Sequence, residues 1–112
     1  PGLALLEAPG NDIVSVTALA ATGCQVILFT TGLGTPLGGP VPVVKIASNS
    51  DLAQRKAHWI DFDAGRAVTG ASWGELGEEL FDQLLRVAGG EKTCNEVNGY
   101  RDVAIWKQGV TL

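Results

Sequence analysis

The stretch Val26–Asn49, VILFTTGLGTPLGGPVPVVKIASN, decides how the chain is read. An apolar run, Val26 to Thr31, ends in two threonines. A second, Val43 to Ala47, leads into Ser48, Asn49 and Ser50. Between them lies a loop rich in glycine (Gly32, Gly34, Gly38, Gly39) and proline (Pro36, Pro40, Pro42). Both runs are continuously apolar rather than alternating, apart from Lys45. That pattern predicts strands covered on both faces, as in a parallel sheet.

Outward from this stretch, the elements alternate. Leu3–Leu6 reads as a first short strand, ended by Pro9 and Gly10. Asp12 stands where an N-cap would, ahead of a helix over Ile13 to Thr22 with Ile13, Val16, Thr17 and Ala20 on one face. Gly23 stops it. Asp51–Ala57 reads as a short polar helix capped by Ser50. Ile60 and Phe62 alternate with Asp61 and Asp63, which fits a short strand, and Gly65–Gly70 reads as loop. The clearest helix runs from Ser72 to about Val87. Ser72 and Glu75 make an S-x-x-E capping box, and Leu76, Leu80, Leu84 and Val87 form a stripe with Phe81 beside it. Gly89 and Gly90 end it. The tail from Glu91 to Leu112 has no clear period and is expected to dock irregularly, with a strand possible near Val103–Trp106. The order predicts an α/β fold, a small parallel or mixed sheet with flanking helices. It is Rossmann-like layering without a dinucleotide fingerprint.

Composition bounds the function. The chain has 112 residues, 46% of them hydrophobic and 18% charged, with a net charge of −4. That length makes one α/β domain, read as a piece of a larger protein. Charge is low against the roughly 25% usual for soluble domains, so part of the surface is expected to be covered by something else. The scattered Lys and Arg residues form no basic stripe, which argues against nucleic acid. No apolar run approaches the ~20 residues that cross a bilayer. Cys24 and Cys94 form no C-x-x-C pair and read as free thiols in a reducing cytosol, so a cytoplasmic location is expected. Together with a single His58 they make no structural zinc set.

Ligands of open α/β sheets bind beyond the carboxyl ends of the strands, where Thr30, Thr31 and Gly32 fall. Gly32, Gly34 and Gly38 echo a dinucleotide fingerprint, but the prolines forbid the helix that would present its N–H groups to a pyrophosphate. The loop can instead offer backbone N–H groups and the hydroxyls of Thr30, Thr31 and Thr35 to an anion such as a carboxylate. A tight, proline-stiffened connection between strands is the equal alternative. Asp61 and Asp63, two apart on a strand, are weak candidates to share a cation or divide acid and base roles. A solvated edge or the cap of a turn is the commoner reading. Lys45 either neutralises a substrate carboxylate or reaches out to the sheet edge. His58 reads as a partly buried structural residue and Cys24 as a small core thiol.

Four segments resemble one family. LFTTGLGTPLGGPVPVVKIASNS is similar to the FTTGRGT loop and K-[IV]-[AS]-[ST]-N segment of the altronate and galactarate dehydratases. LLEAPGNDIVSVT resembles their M-D-T-P-G-x-D-x-V-S-x-T. WIDFDAG resembles D-[IVM]-[ND]-x-G, and RVAGGEKTCNEVNG resembles R-x-A-x-G-x-x-T-x-x-E-x-x-G. The resemblance implies the carboxyl-terminal domain of a larger hydro-lyase that dehydrates a sugar acid to a 2-keto-3-deoxy acid. A related branch cleaves sulfite from sulfolactate. It further implies a divalent metal, iron or manganese, with ligands largely outside this piece, and a small carboxylate substrate. The remaining domains of the same protein and a homo-oligomer are the implied partners. Thr30, Thr31, Gly32, Gly34, Thr35, Lys45 and Asn49 match the family's loop and the segment after it, and are the substrate-binding candidates. No residue is assigned as the general base, and the piece alone is expected to be inactive. Leu33 departs from the pattern, where the family carries Arg, the natural bidentate clamp for a carboxylate. A non-catalytic binding or assembly domain is the alternative.

Overall fold

The computed structural model describes residues 2–105 and 107. Three strands form one all-parallel sheet in the order β1 (Ile27–Thr31), β2 (Val43–Ala47), β3 (Phe62–Asp63). Among the described residues, four helices accompany it: α1 (Asp12–Ala21), α2 (Ser50–Arg55), α3 (Trp73–Ala88) and α4 (Cys94–Asn98). Among the described residues, no helix is long and apolar enough to cross a membrane.

The central strand organises both faces. Every residue of β2 is buried. Because side chains alternate along a strand, Val44 and Ile46 project to one side, where Phe62, Leu76 and Val87 close over them. Val43 and Ala47 project to the other. Val43 packs with Val16 of α1, Ile27 and Leu37, and Ala47 packs with Leu52 of α2 and Ile60. Lys45 lies between these two clusters and is fully buried.

The connection from β1 to β2 is the glycine loop itself, over residues 32–42. It carries its own core residue, Leu37, against Val16 and Val43. Gly38 is buried under the tail, where an added Cβ would lie 2.0 Å from the Tyr100 carbonyl oxygen. Only a glycine permits that approach. The tail is held there by reciprocal bonds, Asp102 N to the Gly38 carbonyl and Gly38 N to Asp102 Oδ2, and by Ala104 N donating to Thr17 Oγ1.

Several sequence expectations are corrected. Leu3–Leu6 is not a strand. It has no neighbour in the sheet, and Leu3 and Leu5 are exposed. The N-cap of α1 is Asn11, whose Oδ1 accepts from Ile13 N, with Asp12 in the first turn. Likewise Asn49, not Ser50, caps α2 by accepting from Leu52 N. In both cases adjacent residues are cap-competent, and the chain's exit angle from the preceding segment chooses between them. Part of Gly65–Gly70 winds into a 3-10 turn, Ala64–Ala67, because Asp63 caps it through Gly65 N. Ser72 caps α3 by accepting from Glu75 N. A full reciprocal capping box stands at Thr93 and Glu96, where it starts the unforeseen α4. Residues Val103 to Ile105 are not strand, and Trp106 lies outside the described residues. The two-faced covering expected of β1 also fails: Leu28 and Thr30 are exposed.

Glycine substitutions separate packing from propensity. Gly38→Ala is expected to lower unfolding free energy by ~3 kcal/mol, the upper range for forced overpacking. Gly74→Ala, in an open position on α3, should raise it by ~1 kcal/mol through helix propensity. Urea unfolding of both variants checks the pair; equal small effects would contradict the packing described here.

Candidate functional site

The carboxyl ends of β1, β2 and β3 bring together Thr31, Gly32, Ser48, Asn49 and Asp63, as expected for a parallel sheet. The loop over this end is held mainly through its carbonyls. Asn49 Nδ2 donates to the Gly32 carbonyl at 3.0 Å, and Lys56 Nζ to the Leu33 carbonyl at 3.0 Å. Lys45 Nζ donates to the Thr35 carbonyl from beneath. Gly34 takes φ +85°, and an added Cβ would meet Leu52 Cδ1 at 2.8 Å, so glycine is required twice over at this position.

This geometry revises the anion-binding expectation. Three loop N–H groups are already engaged: Gly34 N with Thr31 Oγ1, Leu37 N with Thr35 Oγ1 and Gly38 N with Asp102 Oδ2. Thr31 and Thr35 therefore shape the loop with their hydroxyl oxygens, although each hydroxyl keeps its proton to donate. Thr30 is aligned with Ile46 and so projects to the α3 face of the sheet. Asn49 is spent on the cap of α2 and on Gly32. The surface actually presented at the rim is Gly32, Leu33 and Ser48, all exposed, with the Lys56 ammonium beside them. Lys56 also sits over the Trp59 ring, 4.9 Å from its centroid. Neither Ser48 nor Lys56 was singled out in the sequence. Both lie just outside the glycine loop, and only the turn after β2 brings them under it.

Lys45 neither reaches the sheet edge nor meets solvent. Burial pushes its pKa down to about 8, against the favourable charges of Asp61, Cys94 and Asp102. Asp61 is committed to the backbone: its Oδ2 accepts from Lys45 N and its Oδ1 from Cys94 N, both at 2.8 Å. Asp63 Oδ1 accepts from Gly65 N. The two carboxylates thus do structural work, and no group of three or more metal-ligating side chains is assembled among the described residues. The described residues do not fit a metal site. Cys94, placed by the same network, has its thiol pushed up to about 11, chiefly by burial. It is half-buried, donates to the Ile60 carbonyl, and is held in its unreactive thiol form. His58 is exposed, its ring tilted at 53° against Trp59 with centroids 5.0 Å apart, rather than being partly buried. Cys24 packs at the margin of the α1 cluster, as expected.

The lowered Lys45 pKa has a definite sign in stability. Between about 8 and the ordinary 10.5, the unfolded chain binds the proton that the folded chain has lost, so Lys45 adds stability as pH rises through that window. Cys94 acts oppositely between 9.0 and about 11. Comparing the wild type with Lys45→Met isolates the lysine. The variant's stability relative to wild type should fall from pH 7 to pH 10 in urea titrations. A difference independent of pH would contradict the buried ammonium.

Comparison with known proteins places this geometry in a family. Residues 1–111 match the model for the carboxyl-terminal part of D-galactarate/altronate dehydratase. The chain is 57% identical over 112 residues to the altronate dehydratase of Escherichia coli (strain K12), covering all of this chain and 23% of that protein. It is 48% identical over 112 residues to the altronate dehydratase of Bacillus subtilis (strain 168), covering 99% and 22%. It is 42% identical over 93 residues to the galactarate dehydratase (L-threo-forming) of E. coli (strain K12), covering 81% and 18%. The chain therefore spans about a quarter or less of the length of these relatives. It belongs to the carboxyl-terminal domain family of the D-galactarate and altronate dehydratases.

Proposed function

We propose that this domain supplies one wall of the active site of a sugar-acid dehydratase, a carbon–oxygen lyase acting on an altronate- or galactarate-type acid. The observation that carries the reading is the fixed loop beyond the strand ends, with the Lys56 ammonium at its rim. The naming of the relatives as altronate and galactarate dehydratases supports it.

The chemistry needs a rigid carboxylate seat. Dehydration removes the proton α to the carboxylate while the β C–O bond breaks. The proton goes to a base, a general acid protonates the departing hydroxyl so that it leaves as water, and the resulting enol ketonises to the 2-keto-3-deoxy acid. Negative charge grows on the substrate carboxylate as the α proton departs, so a fixed cation there stabilises the transition state. Lys56 provides that cation where Leu33 provides none. Its ammonium spends one donor on the Leu33 carbonyl and keeps two for substrate. Ser48 adds an exposed hydroxyl at the end of the central strand. The base belongs to the rest of the polypeptide or a second copy. The same applies to a divalent metal, iron or manganese, because the carboxylates described here are committed to backbone N–H groups. The two free thiols accord with a cytoplasmic setting.

The full-length protein tests this with an altronate and galactarate assay for 2-keto acid. Lys56→Ala is expected to raise KM ~tenfold or more, the loss of one charge-assisted bond, and Lys56→Arg to restore most of it. An unchanged KM would remove Lys56 from the site. No turnover of any hexonate or hexarate by the wild type would overturn the reading as a whole.

A further inference from the structure

The fold leaves one broad apolar surface uncovered, and it is continuous across two elements. In β1, Leu28 is aligned with Val44 and Thr30 with Ile46, so both project to the α3 side of the sheet. Val44 and Ile46 are buried there under Leu76 and Val87, whereas Leu28 is 47% exposed. Helix α3 thus covers β2 and β3 and stops short of β1. The helix repeats the pattern. Its buried residues are Leu76 and Val87. Trp73, Gly77, Phe81 and Leu85 then follow at four-residue intervals, with Trp73 78%, Phe81 58% and Leu85 56% exposed. Half-buried Leu80 and Leu84 bridge the two rows.

The direction of this second row follows from the other flank. On the β3 side, α3 is tied down by Gln83 Nε2 donating to the Asp61 carbonyl and by the ion pair of Arg66 with Glu79. With 100° between successive residues, Gln83 lies on one side of the buried Leu76–Val87 row, Trp73, Leu84, Gly77 and Phe81 lie on the other, and Leu85 stands opposite it. Trp73, Gly77, Leu84 and Phe81 therefore look across β1. An apolar cleft of about 150 Å³ between Ile46, Phe62, Trp73 and Leu80 opens on the same surface.

Charge at the rim narrows the occupant. Glu78 borders Phe81 at the outer edge of this surface, whereas Asp82 lies on the β3 flank with Asp61, Arg66 and Gln83. Glu79 pairs with Arg66, and Arg86 with Glu91. Among the described residues, Glu78 has no ion-pair partner. Parallel sheets have both faces layered with helices. More than three quarters of the length of the E. coli altronate dehydratase lies outside the part this chain matches. We propose that the surface seats an amphipathic helix from the rest of the full-length polypeptide. Its apolar stripe lies on Leu28, Trp73, Phe81 and Leu84, and its Lys or Arg flank faces Glu78. This inference is independent of the catalytic reading.

Thiol labelling of the full-length protein tests it. Phe81→Cys and Leu28→Cys are each compared with Glu75→Cys, on the solvent side of α3, and peptide mass spectrometry separates the new thiols from Cys24 and Cys94. The seated helix predicts that Phe81→Cys and Leu28→Cys react with a maleimide ~tenfold or more slowly than Glu75→Cys, as for sites opened only by local unfolding. The protection should be independent of protein concentration. Reversing the rim with Glu78→Lys should speed the labelling of Phe81→Cys. Equal rates at all three thiols would overturn the proposal. So would protection lost on dilution as the protein dissociates, which assigns the face to a second copy. Labelling indifferent to the charge reversal would remove the basic flank.

Discussion

An ammonium shut between two apolar clusters is the constraint on which the rest of this domain depends. Strand alternation puts Lys45 on the same face of β2 as Val43 and Ala47, with the α1 cluster at one end and the α2 cluster at the other. A charge in such a place is costly unless it is bonded and its surroundings are polar. The fold meets that requirement with backbone: the Thr35 carbonyl is turned inward to accept from Nζ. Turning that carbonyl inward sets the path of the glycine loop. The path in turn demands positive φ at Gly34 and brings Gly38 flush against Tyr100. The tail then closes over the loop through Asp102 and Ala104.

The consequence for function is a loop held by its carbonyls. Lys45, Asn49 and Lys56 each draw one inward. A wall fixed in this way positions substrate without being reorganised during the reaction, which is what electrostatic preorganisation requires. It also explains why the residues in and around the glycine loop divide into two kinds. Gly34, Thr35, Lys45 and Asn49 build the wall. Gly32, Leu33, Ser48 and Lys56 are the part of it that meets solvent.

The layering and the place of the glycine loop beyond the strand ends were legible in the sequence because they rest on local signals. The continuous runs around β1 and β2, the prolines that forbid a helix between them, the stop of α1 and the cap and stop of α3 are all local. What was not legible depends on partners distant in the chain. The Leu3–Leu6 run looks like a strand because apolarity reports burial without saying against what. Leu28 and Thr30 were read as covered for the same reason. Their sequence suits a sheet layered on both sides, and this domain layers only one side of β1. Asp61 and Asp63 illustrate the converse. Two carboxylates two residues apart suggest a shared ligand, but the Lys45 and Cys94 backbone amides, far off in sequence, claim one of them. Lys56 escaped notice because nothing local distinguishes a lysine at a helix end from any other surface lysine.

Amide hydrogen exchange of the full-length protein, resolved to peptides spanning residues 31–40, tests the fixed wall most directly. The account predicts that the Gly34, Leu37 and Gly38 amides exchange slowly, near the rate of the β2 core, and that Lys45→Met speeds the loop while β1 stays protected. Exchange of those amides at unstructured rates in the wild type would contradict it.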